Sequence, residues 1–96
     1  MESEKALYLR VNSPRTATEI ALARYWSEVL GVETVRVADD FLSLGGDSVA
    51  AMQVASRLRR AIKLDIPVSL FFEKTVLADL ASAVDAIVSS NSRNPQ

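Results

Sequence analysis

Three stretches of the sequence repeat apolar residues at the spacing of an α-helix, and this period limits the fold more than any other feature. The first stretch opens with Thr16 and Glu19, which have the spacing of a capping box, and Gly31 follows it as a natural helix stop. Its apolar stripe consists of Leu22, Trp26, Val29 and Leu30. We therefore predict a first helix that ends at Gly31, with Trp26 in the core.

The second stretch predicts a helix from Ser48 to about Lys63. At about 100° per residue, one side of this helix is apolar and should face the core. That predicted core face consists of Ala51, Val54, Ala55, Leu58, Ala61 and Ile62. Val49 and Met52 fall on the opposite side and are predicted to be exposed. They indicate either a docking surface beside Ser48 or ordinary scattered surface apolar residues.

The third stretch predicts a last helix, for which Thr75 is the candidate cap. Its apolar stripe consists of Leu77, Leu80, Ala81, Val84 and Val88. Between the second and third stretches Pro67 breaks the chain, and residues 69–73 predict a helix of one or two turns. The predicted fold class is therefore all-α: a small four-helix bundle of three long helices and one short helix, without a sheet.

The long connection between the first two helices ends in the sequence Gly45-Gly46-Asp47-Ser48. We expect the two glycines to form a tight turn with positive φ, and Asp47 and Ser48 to begin the next helix. A helix start can hold an anion such as a phosphate, but for these four residues alone a simple cap at Asp47 or Ser48 is the favoured interpretation. Apolar residues within the connection predict an ordered loop that is pinned to the core and delivers Ser48: Val35, Val37, Phe41 and Leu44.

The residue types that are missing exclude several kinds of site. The 96 residues contain no histidine and no cysteine, so a Ser-His-Asp triad, a thiol nucleophile and a disulfide framework are excluded within the chain. Gly45-Gly46 lacks the Gly-Lys-Ser/Thr of a nucleotide phosphate loop. The formal net charge of −1 argues against bulk affinity for nucleic acid or for anionic membranes. Ser48 is thus interpreted as a hydroxyl that another enzyme modifies.

The segments 39–41 and 44–48 together resemble the core motif of carrier (thiolation) domains, above all the peptidyl carriers of nonribosomal peptide synthetases. The resemblance covers about residues 14–88. It includes the stretch 14–32 with Trp26, and later landmarks at residues 57–59, Pro67 and 70–73. Where the family often has Pro-Thr before the last helix this chain has Thr75-Val76, which puts the cap of that helix in question.

The resemblance implies a 4′-phosphopantetheine arm on Ser48, with Asp47 and Gly46 beside the attachment point. It implies a partner-docking surface at Val49, Met52 and Leu44. The expected partners are a phosphopantetheinyl transferase and adenylation, condensation, thioesterase or tailoring domains of a synthetase. We expect the chain to be a non-catalytic, cytoplasmic monomer that binds no metal, no nucleic acid and no membrane.

The predicted organisation is an N-terminal arm or linker at 1–13, a carrier domain at 14–90 and a disordered tail at 91–96. One alternative is an acyl carrier of polyketide or fatty-acid synthesis, which would share the fold and the arm. Another, of a different class, is a helical protein-interaction module that has no covalent arm. The intact mass after incubation with coenzyme A and a transferase separates this last alternative from the carriers.

Overall fold

The computed structural model describes residues 3, 4 and 13–92, so most of the predicted N-terminal arm and the end of the tail lie outside it. Its helices are α1 (Ala17–Leu30), α2 (Ser48–Ile62), α3 (Leu70–Glu73) and α4 (Leu77–Ser92). The prediction of an all-α bundle with three long helices and one short helix is confirmed. Across the described residues the extended pairing amounts to one isolated antiparallel bridge, between Asp40 and Val76.

Helix α1 begins and ends where its sequence signals predict. The Thr16 hydroxyl accepts a hydrogen bond from the Glu19 N–H at 3.0 Å, and the Glu19 carboxylate accepts one from the Thr16 N–H at 3.2 Å. This capping box satisfies N–H groups that have no partner within the helix. At the other end Gly31 adopts the left-handed conformation, with φ +70°. Leu22 and Trp26 on the predicted stripe are fully buried.

Helix α1 contacts both α2 and α4 and so connects the two other long helices. The Arg57 side chain of α2 lies 3.6 Å from the Glu28 carboxylate of α1. On the other side the Thr18 hydroxyl of α1 donates a hydrogen bond to the Asp85 carboxylate of α4. These polar contacts are exposed or half-exposed, so they contribute little to stability, and the apolar core supplies most of it.

An aromatic cluster at the centre of the core ties the long loop to the helices. The Phe41 ring lies between the rings of Trp26 and Phe71, with centroid distances of 5.1 Å and 5.6 Å in tilted and edge-on arrangements. All three side chains are fully buried. Val35 is buried too, and Val37 and Leu44 pack against the core. The prediction of an ordered loop pinned by its apolar residues is confirmed.

The core face of α2 differs from the predicted one at its two ends. Ala61 is exposed, so its assignment to the core is wrong. It lies in the last turn of α2, two residues before Lys63, where φ of +61° turns the chain away from the helix. Ala50, at a similar angle around the helix, is buried in the first turn. A uniform period cannot distinguish these positions, because burial also depends on how far neighbouring elements extend along the helix.

The start of α4 corrects another prediction, because Thr75 does not cap the helix. Its hydroxyl instead donates a hydrogen bond to the Asp40 carboxylate at 2.5 Å. The first N–H groups of α4 are bound by loop carbonyls: Leu77 N–H donates to Asp39 O, and Ala78 N–H to Val37 O, both at 3.0 Å. The long loop therefore supplies the N-terminal cap of the last helix.

Helix α4 continues to Ser92, four residues beyond Val88, the last apolar residue of its predicted stripe. None of the helices in the described ranges combines the length and the apolar character needed to cross a membrane.

Candidate functional site

Ser48 is the first residue of α2, and its side chain is exposed. Within residues 13–92 no hydrogen bond engages its hydroxyl. Asp47, immediately before it, is the N-cap, and its carboxylate accepts a hydrogen bond from Ala50 N–H at 2.9 Å. The cap is therefore provided by Asp47, and the Ser48 hydroxyl is left accessible. The predicted position of Ser48, open at a helix start, is confirmed.

The environment of Ser48 suits a negatively charged group. The first N–H groups of a helix have no partner within it, and the aligned peptide dipoles place partial positive charge at that end. The first turn of α2 contains no acidic residue. Asp47 places one carboxylate there, but that carboxylate is engaged by Ala50 N–H. The partial positive charge of the helix start therefore favours a phosphodiester on Ser48, against the repulsion of the adjacent Asp47 carboxylate.

The two glycines before Ser48 serve different purposes. Gly45 has φ +97°, a conformation that L-residues rarely adopt, and the space around its Cα is open. The expected turn with positive φ is therefore confirmed at Gly45, whereas Gly46 does not have a positive φ. Glycine is instead required at position 46 because Phe41 packs so closely against it. A Cβ there would lie 2.4 Å from the Phe41 ring and 2.7 Å from the Phe41 carbonyl oxygen. Gly46 N–H also donates to that carbonyl, at 2.9 Å.

Replacing Gly46 with alanine should therefore destabilise the domain. The Phe41 ring cannot move aside, because Trp26 and Phe71 enclose it. We expect a loss of roughly 1–3 kcal/mol, the usual cost of overpacking a core, measured by thermal or urea unfolding. Gly45→Ala is the comparison, because its cost would come from φ alone. An unchanged melting temperature for Gly46→Ala would show that Phe41 can shift.

Asp40 is the polar centre of the loop that precedes Ser48. One of its carboxylate oxygens accepts the Thr75 hydroxyl, and the other accepts the Ser43 N–H at 2.9 Å. These hydrogen bonds, that from Thr75 first, lower the pKa of Asp40 below the ordinary aspartate value. Phe41 N–H donates to Thr75 O at 2.7 Å beside them. This arrangement could not be predicted from the sequence, because no spacing signal joins Asp40 to a residue 35 positions away.

The predicted docking residues surround the start of α2 but differ in exposure. Val49 and Met52 are 61% and 59% exposed, which confirms the predicted orientation of the helix. Leu44 is half-buried and packs against the core, so less of it is available to a partner. A groove of about 400 Å³ starts at Met52 and runs along α2; its other lining residues are Ala55, Ser56, Arg59, Arg60, Asp65, Ile66 and Val68.

The arginines of α2 do not form a single basic surface. Arg57 faces Glu28 of α1, and Arg59 lies 3.3 Å from the Asp65 carboxylate in the following loop. In the part of the chain that the structure describes, no cluster of three carboxylates is placed to hold a metal ion. The described surface therefore offers Ser48 and its apolar neighbours as the best-defined candidate site.

Comparison with known proteins gives a consistent result. The family model for the phosphopantetheine attachment site matches residues 21–84, which include Ser48. Tyrocidine synthase 3 of Brevibacillus parabrevis is 45% identical over 74 residues, covering 77% of this chain and 1% of that protein. Surfactin synthase subunit 3 of Bacillus subtilis (strain 168) is 42% identical over 69 residues, covering 72% of this chain and 5% of that protein. The chain thus spans a small fraction of these relatives.

The fold has a close counterpart among solved structures. A chain in the complex of the phosphopantetheine transferase Sfp with coenzyme A and a peptidyl carrier protein superposes with a TM-score of 0.73. The two are 32% identical, and the match covers 78% of this chain and 97% of that chain. The likeness therefore extends over nearly all of the other chain, in its sequence as well as its fold.

Proposed function

The chain belongs to the phosphopantetheine attachment family of carrier domains, and from this premise we propose that it is a peptidyl carrier domain that bears its arm on Ser48. The observation that supports Ser48 most directly is its exposed hydroxyl at the start of α2, without a hydrogen-bond partner in residues 13–92. The peptide type is supported by the 45% and 42% identity to the tyrocidine and surfactin synthases.

The proposed modification is a phosphoryl-type transfer from coenzyme A. The Ser48 oxygen attacks the phosphorus that bears the pantetheine chain, forming an O–P bond while the pyrophosphate P–O bond breaks. Adenosine 3′,5′-bisphosphate leaves, and the hydroxyl proton passes to a base on the transferase. The base must be external, since the chain has no histidine and the Asp47 carboxylate is engaged in capping. The arm's terminal thiol then holds an aminoacyl or peptidyl group as a thioester.

Incubation with coenzyme A and a broad-specificity transferase tests the proposal. We expect the intact mass to increase by one phosphopantetheinyl group, and peptide mapping to place it on Ser48. A chain that folds but gains no mass would favour the helical interaction module without an arm.

We propose that Val49 and Met52 form the docking surface read by the transferase and by synthetase domains. Both side chains expose apolar surface within one turn of Ser48. Methionine suits a surface that meets several partners in turn, because its flexible thioether adapts to different shapes. Leu44 borders this surface with its exposed part.

Met52→Gln should leave the fold intact and weaken partner engagement. Surface substitutions usually change stability by about 0.5 kcal/mol or less, whereas loss of an apolar interface anchor costs about 1 kcal/mol or more. We expect the concentration for half-maximal modification to rise at least about fivefold, with little change in melting temperature. Ile20→Gln on α1 is the matched control, since Ile20 is 53% exposed and apolar. An unfolded Met52→Gln variant, or one modified like wild type, would contradict the proposal.

The remaining features of the proposed role concern the assembly in which the chain works. The chain spans 1% and 5% of the two synthases, so we propose that it works beside adenylation, condensation, thioesterase or tailoring domains of a larger assembly. It acts there as a cytoplasmic monomer that catalyses nothing itself, with predicted limits of residues 14–90.

A further inference from the structure

We propose that Asp40 and Thr75 are positioning residues for the attachment reaction, because they fix the loop that delivers Ser48. This inference rests on the proposed function. It starts from the contacts between residues 37–41 and 75–78, here called the loop clamp. The clamp consists of four hydrogen bonds. The Thr75 hydroxyl donates to the Asp40 carboxylate, Phe41 N–H to Thr75 O, Leu77 N–H to Asp39 O, and Ala78 N–H to Val37 O.

The clamp connects to Ser48 through a short series of contacts. Phe41 N–H donates a hydrogen bond to Thr75 O. The Phe41 carbonyl in turn accepts a hydrogen bond from Gly46 N–H at 2.9 Å. Its ring also closes against Gly46, leaving no room for a Cβ there. Gly46 is two residues before Ser48. Any shift of residues 40–41 is therefore passed to the start of α2 through atoms already in contact.

The hydrogen bond between the side chains of Asp40 and Thr75 is the part of the clamp that a substitution can remove. The other three contacts use backbone atoms, which persist in most substitutions. Asp40 adds two hydrogen bonds on opposite sides, to Thr75 and to Ser43 N–H. It thereby joins the start of α4 to the turn that contains the glycines.

Asp39 offers a matched comparison at the neighbouring position. Its carboxylate accepts Arg36 N–H at 2.8 Å, a contact within its own turn, while its backbone carbonyl takes part in the clamp. Asp39→Ala and Asp40→Ala remove the same charge and the same atoms. They differ in whether the lost carboxylate accepts the hydroxyl of Thr75, just before α4.

Kinetics can separate positioning from mere stability. A variant that is partly unfolded presents fewer competent molecules, so it needs a higher concentration for half-saturation but reacts normally once bound. A folded carrier with a displaced serine binds through Met52 and Val49 as before but reacts slowly within the complex. Misplacement of a reacting group by about 1 Å can cost up to about 100-fold in rate.

The experiment is single-turnover modification with coenzyme A saturating and the transferase in excess and varied. For Asp40→Ala and Thr75→Val we expect the plateau rate to fall about tenfold, with less than about a twofold change in half-saturating concentration. Asp39→Ala should react like wild type. The double variant Asp40→Ala/Thr75→Val should be no slower than the slower of the two single variants, because both substitutions remove the same hydrogen bond. Asp40→Asn retains an acceptor oxygen and should recover part of the rate.

Two results would overturn the inference: plateau rates for Asp40→Ala and Thr75→Val equal to that of Asp39→Ala, or a change confined to half-saturation. The second would assign the clamp to stability alone. Thr75→Val keeps the shape of the side chain, so it provides the answer should Asp40→Ala not fold. A wild-type chain that gains no arm would instead contradict the proposed function.

Discussion

Ser48→Ala should abolish attachment of the arm completely while leaving the fold unchanged. The substitution removes Ser48 Oγ, which is the proposed nucleophilic atom. Stability should be preserved because Asp47, not Ser48, caps the helix, and alanine is the best helix former. The measurement pairs intact mass after incubation with coenzyme A and transferase with a thermal melt.

Two variants act as controls for Ser48→Ala. Ser56→Ala removes an exposed hydroxyl two turns further along α2 and should be modified like wild type. Asp47→Ala should lose about 0.5–2 kcal/mol with the cap yet remain modifiable, because its serine hydroxyl is retained. Attachment to the Ser48→Ala protein would show that another residue carries the arm.

Trp26→Ala should have the largest effect on stability. The indole is fully buried against Phe41, and truncating a buried tryptophan costs about 3–5 kcal/mol. A small domain is stable by only about 5–15 kcal/mol, so this loss is a large part of the total. Each kcal/mol lowers the melting temperature of a domain of this size by about 4–8 °C, so we expect a fall of at least about 12 °C.

Trp26→Phe tests the reason for that loss. The Trp26 Nε1–H is buried without a hydrogen-bond partner among the described residues, which is itself unfavourable. Phenylalanine keeps most of the ring contact and removes this donor, so it should cost much less than alanine. Equal melting temperatures for Trp26→Ala and wild type would show that the cluster with Phe41 contributes little.

The helices could be predicted from the sequence because their determinants are local. The stripe containing Leu22 and Trp26, the capping box at Thr16 and the stop at Gly31 each act within a few residues. These signals need no partner from a distant part of the chain. The site at Ser48 is predicted differently, from the motif at residues 39–48 together with the family resemblance across residues 14–88.

The remaining features depend on tertiary contacts and could not be predicted in this way. Thr75 has the residue type of a cap, but the Asp40 carboxylate takes its hydroxyl. Gly46 has the residue type of a positive-φ turn, but it is required by its proximity to Phe41. Ala61 lies on the right side of α2 but beyond the reach of its neighbours. Only the folded arrangement distinguishes these cases.

The capping of α4 by the carbonyls of Val37 and Asp39 has a consequence for sequence variation. Carbonyls belong to every residue, so substitutions in this part of the loop leave the capping bonds in place. Their alignment depends instead on the number of residues between the cap and Ser48. We therefore expect the capping of α4 to tolerate changes of residue at positions 37 and 39, but not a change in the length of the segment. A single insertion after Ala38 would change the spacing of the two carbonyls and displace one of them, and faster amide exchange at Leu77 or Ala78 would reveal it.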